Sequence, residues 1–323
     1  MAIPPSFPAA LSFRLVMRGI GAGFADAAHL TRNLYIVMIP IIIAVKILAE
    51  LDLIRYLAMP LKPFMALVGL PADLGIVWAF AIVINIYASL VVLAGMLPSL
   101  PTLTVAQATV FATMVLIAHG LIMESRIAQQ CGVSFHGQFI IRLAGAMLCG
   151  MLMHFLYSAT GTFQQPAAIL LPSPGPDPAL AEWAFGEARN LFYIFWIISA
   201  LMILHRFLVY SRMDRLLDTV FAPLLILLGI NPKAATCVVV GFSMGLLYGS
   251  GVIIKESQTA ALSKKDIFCA VTLIGLAHAL IEDTLLMLLI NGDISGTVGL
   301  RLLFAVMFSL LITRIYAVVG KPG

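Results

Sequence analysis

Two eight-residue phrases, "AHGLIMES" at 118–125 and "AHALIEDT" at 277–284, repeat one pattern within stretches otherwise fit for lipid. No other feature constrains the chain as much. It requires a duplicated unit, and it puts a histidine and a carboxylate in each copy, among the side chains a bilayer tolerates least. The match extends beyond the phrase, always at the same offset. Thr113, Ala118, His119, Leu121 and Ile122 recur as Thr272, Ala277, His278, Leu280 and Ile281. Gly137, Arg142, Leu143, Tyr157 and Gly161 recur as Gly296, Arg301, Leu302, Tyr316 and Gly320, and Glu124-Ser125 recurs as Asp283-Thr284. Apolar helices match each other by chance, so the repeated His, acid, Arg, Tyr and Gly carry the weight. With small loop shifts "RNLY" at 32–35 meets "RNLF" at 189–192, Gly69 meets Gly229, and "YAS" at 87–89 meets "YGS" at 248–250.

Composition says where such a unit lives. Hydrophobic residues make up 62% of the 323, charged residues 11%, and mean hydropathy is +1.06. Soluble domains are about half apolar and about a quarter charged, so the chain belongs in a membrane, and no stretch has the charge density of a soluble domain. A bilayer-spanning helix needs about 20 apolar residues, fewer where the segment is interrupted or re-entrant. Ten stretches qualify, at roughly 33–49, 54–70, 74–97, 104–124, 138–160, 190–209, 216–230, 234–253, 267–290 and 299–318. The expectation is an all-α integral membrane protein of about ten transmembrane or re-entrant helices. Residues 1–30 form a cytoplasmic or interfacial segment, 31–161 the first repeat, 162–187 an acidic, Pro-rich external loop and 188–320 the second repeat. Five spans is an odd number, so the second repeat is expected upside down relative to the first, the inverted plan of many secondary transporters.

Charge placement orients the chain. Arg14, Arg18 and Arg32, Arg126 and Arg142, Arg206, Arg212 and Arg215, Lys255, Lys264 and Lys265, and Arg314 with Lys321 share one side if both termini are cytoplasmic. The acidic stretch 166–187 then faces outward, as the positive-inside rule prefers, with only Arg55 and Lys62 dissenting. The expected location is the inner (cytoplasmic) membrane. The N-terminus, with prolines where a basic region belongs, does not read as a cleaved signal. A net charge of +4 needs no nucleic acid to explain it. Cys131, Cys149, Cys237 and Cys269 are scattered without a CxxC and suggest neither a disulfide framework nor a zinc site.

Sites in repeat-built transporters form where matched segments are broken by Pro or Gly. The second span holds Pro60 and Pro63, the seventh Pro223 and Pro232. Each reads either as a kinked packing helix or re-entrant hairpin, or as a ligand-facing break. The eighth span, with Gly241, Gly245, Gly249 and Gly251, reads either as a close-packing surface or as a helix unwound at "YGSG" around Tyr248 and Ser250. Asn85, Tyr87 and Ser89 answer it from the third span, and a buried amide such as Asn85 must be paired.

His278 and Glu282 stand i,i+4 and are expected to share a helix face, whereas His119 and Glu124 stand i,i+5 and do not. The spacing lacks HExxH and any second helix-borne ligand set, so no metal and no cofactor are expected. Two readings of these groups stay open. In one, Glu124 pairs with Arg142 and Asp283 with Arg301, as structural ion pairs across each helical hairpin. In the other, His278, Glu282 and Asp283, with His119 and Glu124 as the symmetric set, titrate or bind a cation during transport, histidine being suited to a proton relay.

"GFSMGLLYGSGVIIKES", "GLAHALIEDTLLMLLINGDISG" and "RLLFAVMFSLLITRIY" resemble membrane proteins carrying the Gate, or nucleoside-recognition, domain. That group includes spore-maturation-like and YjiH-like proteins. The domain also occurs in concentrative nucleoside transporters and in the membrane part of FeoB ferrous-iron transporters. The resemblance covers both halves, more clearly the second, and implies a helical transporter-like fold with a nucleoside-like ligand. No GxxxxGK[ST] loop is present, so FeoB-type GTPase coupling is not expected. Nor are GxSxG or catalytic carboxylate pairs, so an enzyme is not expected. The expected function is an ion- or proton-coupled secondary transporter of a polar small molecule or ion, and the alternative is a non-transporting membrane partner or assembly subunit. The expected partners are lipid, that substrate and a second copy in a homo-oligomer.

Overall fold

In the computed structural model the described residues are 13–51, 53–171, 179–210, 219, 221–223, 225–226, 229–258 and 262–319. Their architecture is helical throughout. In order come α1 (Phe13–Glu50), α2 (Ile54–Ala58), a 3-10 turn, α3 (Lys62–Leu67), α4 (Leu74–Val83), α5 (Ile86–Met96), α6 (Val105–Ile117), α7 (Leu121–Gln130), α8 (Phe135–Thr160) and α9 (Leu180–Tyr210). The second half continues with α10 (Pro232–Met244), α11 (Leu246–Gln258), α12 (Lys264–Ala277), α13 (Glu282–Leu288), a π-helical turn (Ser295–Leu300) and α14 (Arg301–Val319). α9 begins at Leu180, inside the acidic stretch read from the sequence as loop. Seven of the fifteen residues of the expected seventh span, 216–230, lie outside the described residues.

Among the described residues six helical stretches are long and apolar enough to cross a membrane, with 74–83 and 86–99 shorter. Two differ from the rest. In 105–130 and 264–288 the most apolar windows are 89% and 78% buried, against 22% to 33% in the other four. These two are therefore the centre of the molecule, and the others present their outer faces to lipid. α6 packs against α8 and α12 against α14. α8 crosses to α12, and α6 crosses to the π-helical turn that precedes α14.

The two halves start and break their helices alike. Thr104 caps α6, its Oγ1 accepting from Gln107 N at 3.2 Å while Gln107 Oε1 accepts from Thr104 N at 3.1 Å. Ser263 and Asp266 repeat this capping box on α12, both bonds at 3.1 Å. Gly69 and Gly229 both take positive φ, with Leu70 N donating to Met65 O at 2.9 Å and Ile230 N to Leu225 O at 3.0 Å.

Four interruptions matter for function. α4 stops at Ile84-Asn85 and α10 at Gly245, while α6 stops at 118–120 and α12 at 278–281. A broken helix in lipid needs partners for its freed backbone groups within the protein. Here the breaks serve each other: Gly120 N donates to Ala81 O at 2.8 Å, and Ala279 N and Leu280 N donate to Gly241 O and Phe242 O at 3.2 and 2.8 Å. Gly120 and Ala279, in matching positions of the two repeats, are both left-handed, with φ of 56° and 46°.

The glycines of the eighth expected span behave as a packing surface. A Cβ on Gly241 would lie 2.7 Å from Ile274, and one on Gly249 would lie 2.8 Å from the Gly241 backbone. The unwinding expected at Tyr248–Gly251 does not occur. α11 runs through those residues, and the chain breaks instead at Gly245, whose φ of 86° favours glycine.

Candidate functional site

The breaks at 118–120 and 278–281 meet at the centre of the molecule and carry the polar residues with them. His119 and His278 are both buried, and their Nε2 atoms lie 3.3 Å apart. Glu124 Oε1 lies 3.6 Å from His119 Nε2 and 3.4 Å from His278 Nε2, while Asp283 Oδ2 lies 3.6 and 3.9 Å from the same two atoms. Each histidine thus faces its own repeat's carboxylate and the other's. A reciprocal set of this kind is what a local two-fold axis produces.

The helix breaks correct the expectation about faces. His278 ends α12 in extended backbone, and α13 begins only at Glu282. His278 and Glu282 therefore do not sit one turn apart on a continuous helix. The left-handed residue after each histidine turns the chain so that the residue five positions on, Glu124 or Asp283, faces the imidazole.

Backbone contacts hold the ring orientations. His119 Nδ1 lies 3.0 Å from Val115 O and His278 Nδ1 3.1 Å from Ile274 O, the same contact in each repeat. A carbonyl only accepts, so each Nδ1 carries a proton and each ring turns its Nε2 toward the centre.

The two arginines tie the breaks from outside. Arg142 Nε donates to Ile117 O at 2.9 Å and Nη2 to His119 O at 3.2 Å. Arg301 Nε donates to Leu276 O and Nη2 to His278 O, both at 3.0 Å. These carbonyls lose their partners where α6 and α12 end, so each arginine seals a broken helix. Arg142 also pairs with Glu124 Oε2 through Nη1, as expected. The equivalent pairing fails: Arg301 places a second bond from Nη2 on Leu116 O at 3.0 Å, and its Nη1 has no hydrogen-bond partner although the side chain is fully buried.

Of the other expected site residues, Tyr87 lies near enough to Glu282 and Asp283 to feel their charge. It also lines a narrow, mostly apolar crevice with Glu187, Asn190 and Leu286. Glu282 opens α13 half-buried. Asn85 caps α5, its Oδ1 accepting from Ala88 N at 2.9 Å, and Ser89 donates to Ile86 O at 2.8 Å, so both serve the α4/α5 break locally. Ser250 is buried on α11, and the Tyr248 side chain lies outside the described residues. Sequence reading missed Glu187, taken as the end of the external loop, and Asn190, taken only as the start of a span, both of which sit on α9. It also missed the hydrogen bond from Gln138 to Thr272 that joins the repeats at 2.8 Å. The capping boxes T-x-x-Q and S-x-x-D, in matching positions, were a legible signal of where α6 and α12 start.

The chain is 27% identical over 318 residues to the uncharacterized membrane protein YvoD of Bacillus subtilis (strain 168), covering 96% of this chain and 99% of that one. No family model matches the chain, and no solved structure matches it. The similarity runs nearly end to end and agrees with the six apolar helices. This is an all-helical, multi-pass membrane protein.

Proposed function

We propose that this protein is a secondary transporter, in which two inverted five-span repeats enclose a central site built from His119, Glu124, His278 and Asp283. One observation carries the reading. Two helices broken at mid-length bring two histidines and two carboxylates, from both halves, to one buried point. Charged side chains cost about 2.5–3.5 kcal/mol each at a helix centre on insertion scales, and structural packing alone is served by apolar residues. Broken helices that line a polar point are the recurring form of a transporter site. The hydrogen bonds repeated in both halves support the duplication, and the odd span number supports inversion. Charge placement supports cytoplasmic termini and the inner membrane.

The crevice beside Tyr87 lies near the central site. Tyr87 and Leu286 line it, and Asp283 lies one turn before Leu286 on α13. Energy comes from an ion gradient, and the protein is a carrier rather than an enzyme. The resemblance to Gate-domain proteins makes nucleosides the first organic substrates to try.

The test is uptake into liposomes by purified full-length protein, with labelled nucleosides and divalent cations each offered under imposed ion gradients. The expected result is uptake above protein-free liposomes that the His119→Ala/His278→Ala protein lacks. No gradient-driven uptake of any of them would leave the protein a membrane partner without transport.

A further inference from the structure

We infer that His119, His278 and Glu124, with Asp283 beside them, form a binding site for one divalent transition-metal ion of the zinc class. Ligand-atom spacing is the first argument. A tetrahedral ion held at about 2.0–2.2 Å by imidazole nitrogen and carboxylate oxygen keeps its ligand atoms about 3.3–3.6 Å apart. The Nε2 atoms stand at 3.3 Å, and Glu124 Oε1 stands 3.6 and 3.4 Å from them, within that range, while Asp283 Oδ2 stands wider, at 3.6 and 3.9 Å. His119, Glu124 and His278 each offer a ligand atom within 4.8 Å of the others.

Tautomer is the second argument. With both Nδ1 atoms donating to Val115 O and Ile274 O, the two Nε2 atoms face each other in close contact. Two nitrogens that close need a cation between them, either a shared proton or a metal ion, and the carboxylate oxygen of Glu124 beside both gives a metal ion its third ligand. A backbone carbonyl on the far nitrogen is also how metal-binding histidines are usually oriented. Arg142 holds Glu124 by Oε2 and leaves Oε1 toward the rings.

Ligand type is the third. Two imidazoles select a borderline transition metal over magnesium or calcium, which take oxygen ligands. HxxxE spacing along one helix could not show this, because the ligand set is completed across the two repeats.

Binding rests on ligand geometry alone. That the ion is the cargo or the coupling ion rests on the transport reading, so the experiment separates the two. Full-length protein in detergent, stripped by a chelator, is titrated with Co²⁺ and then with competing Zn²⁺. The expected result is one Co²⁺ per chain, with the intense visible absorption of a four-coordinate site that Zn²⁺ bleaches. The His119→Ala/His278→Ala protein should bind at least about 100-fold more weakly, beyond the 10–100-fold loss that follows removal of a ligand's outer partner. Glu282→Gln should keep the stoichiometry. Circular dichroism and size-exclusion profiles check folding. Should the double variant not fold, wild-type protein still decides: stoichiometrically bound Cu²⁺ that Zn²⁺ displaces should show two imidazole-nitrogen ligands in its electron spin-echo spectrum. Absence of stoichiometric binding, binding that survives loss of both histidines, or bound Cu²⁺ without imidazole ligands overturns the inference. Metal binding without liposome uptake of metal or nucleoside sinks the transport reading and keeps the site. Gradient-driven nucleoside uptake with no metal bound does the reverse.

Discussion

The break after α6 and the break after α12 are built on one plan and finished differently. In the first, Gly120 makes the left-handed turn, Glu124 reaches Arg142, and the guanidinium is bonded through Nε and both Nη atoms. In the second, Ala279 makes the same turn, Asp283 stands where Glu124 stood, and Arg301 keeps one Nη without a partner. One methylene separates the two carboxylates. The longer one spans the gap between arginine and histidines. The shorter one remains with the histidines. The duplicated backbone therefore supplies a symmetric frame, and side-chain length alone makes the halves unequal.

The sharpest break of this comparison is removal of the arginines one at a time. Arg142→Met leaves Glu124 charged, buried and unpaired, and strips two helix-end carbonyls. Losing one member of a buried ion pair costs about 3–5 kcal/mol. Arg301→Met strips carbonyls but breaks no such pair, and should cost less, about 1–3 kcal/mol. Thermal unfolding in detergent, followed by helical circular dichroism, should rank Arg142→Met well below Arg301→Met. Equal losses would mean that the pair with Glu124 contributes nothing.

A carboxylate exchange sharpens the comparison at intermediate size. Asp283→Glu extends the acid toward the idle Nη1 of Arg301 and should raise the melting point, a hydrogen bond between charged groups being worth about 1.5–3 kcal/mol. Glu124→Asp should lower it by a similar amount. If Asp283→Glu is destabilising, length is not what separates the two halves.

The turn residues give the smallest effect. Ala279→Gly relieves a left-handed alanine, whose conformation costs about 1–2 kcal/mol. Part of that gain is returned because glycine loosens the unfolded chain by about 0.4–1 kcal/mol. Gly120→Ala has room for its Cβ, the nearest atoms being those of Glu124 at 3.8 Å, so it should cost only the conformational term. The melting point should therefore fall for Gly120→Ala and hold or rise for Ala279→Gly. A fall in both would show that Ala279 is tuned to its turn.

Much of this could be read along the chain. Apolar runs set membrane residence and helical class, because a bilayer satisfies backbone groups only within helices or closed barrels. The constant offset between the repeats, read from His, acid and Arg identities, singled out His119, Glu124, Arg142, His278, Asp283 and Arg301 as one set and anticipated the Glu124–Arg142 pair. Asn85 and the glycines of the eighth span were legible as special positions, although their work proved to be capping and close packing.

What the chain could not disclose alone is where its helices stop. Periodicity treats 267–290 as one helix, and on that helix Glu282 faces His278. The left-handed turn at Ala279 exists because Gly241 and Phe242 offer carbonyls to it from another helix, and no local propensity would put an alanine there. That turn exchanges Glu282 for Asp283 beside the imidazole. The meeting of His119 with His278 is equally invisible to spacing. It is a contact between residues far apart in the chain, decided only when two buried helices, each interrupted at the same place, pack their breaks against one another.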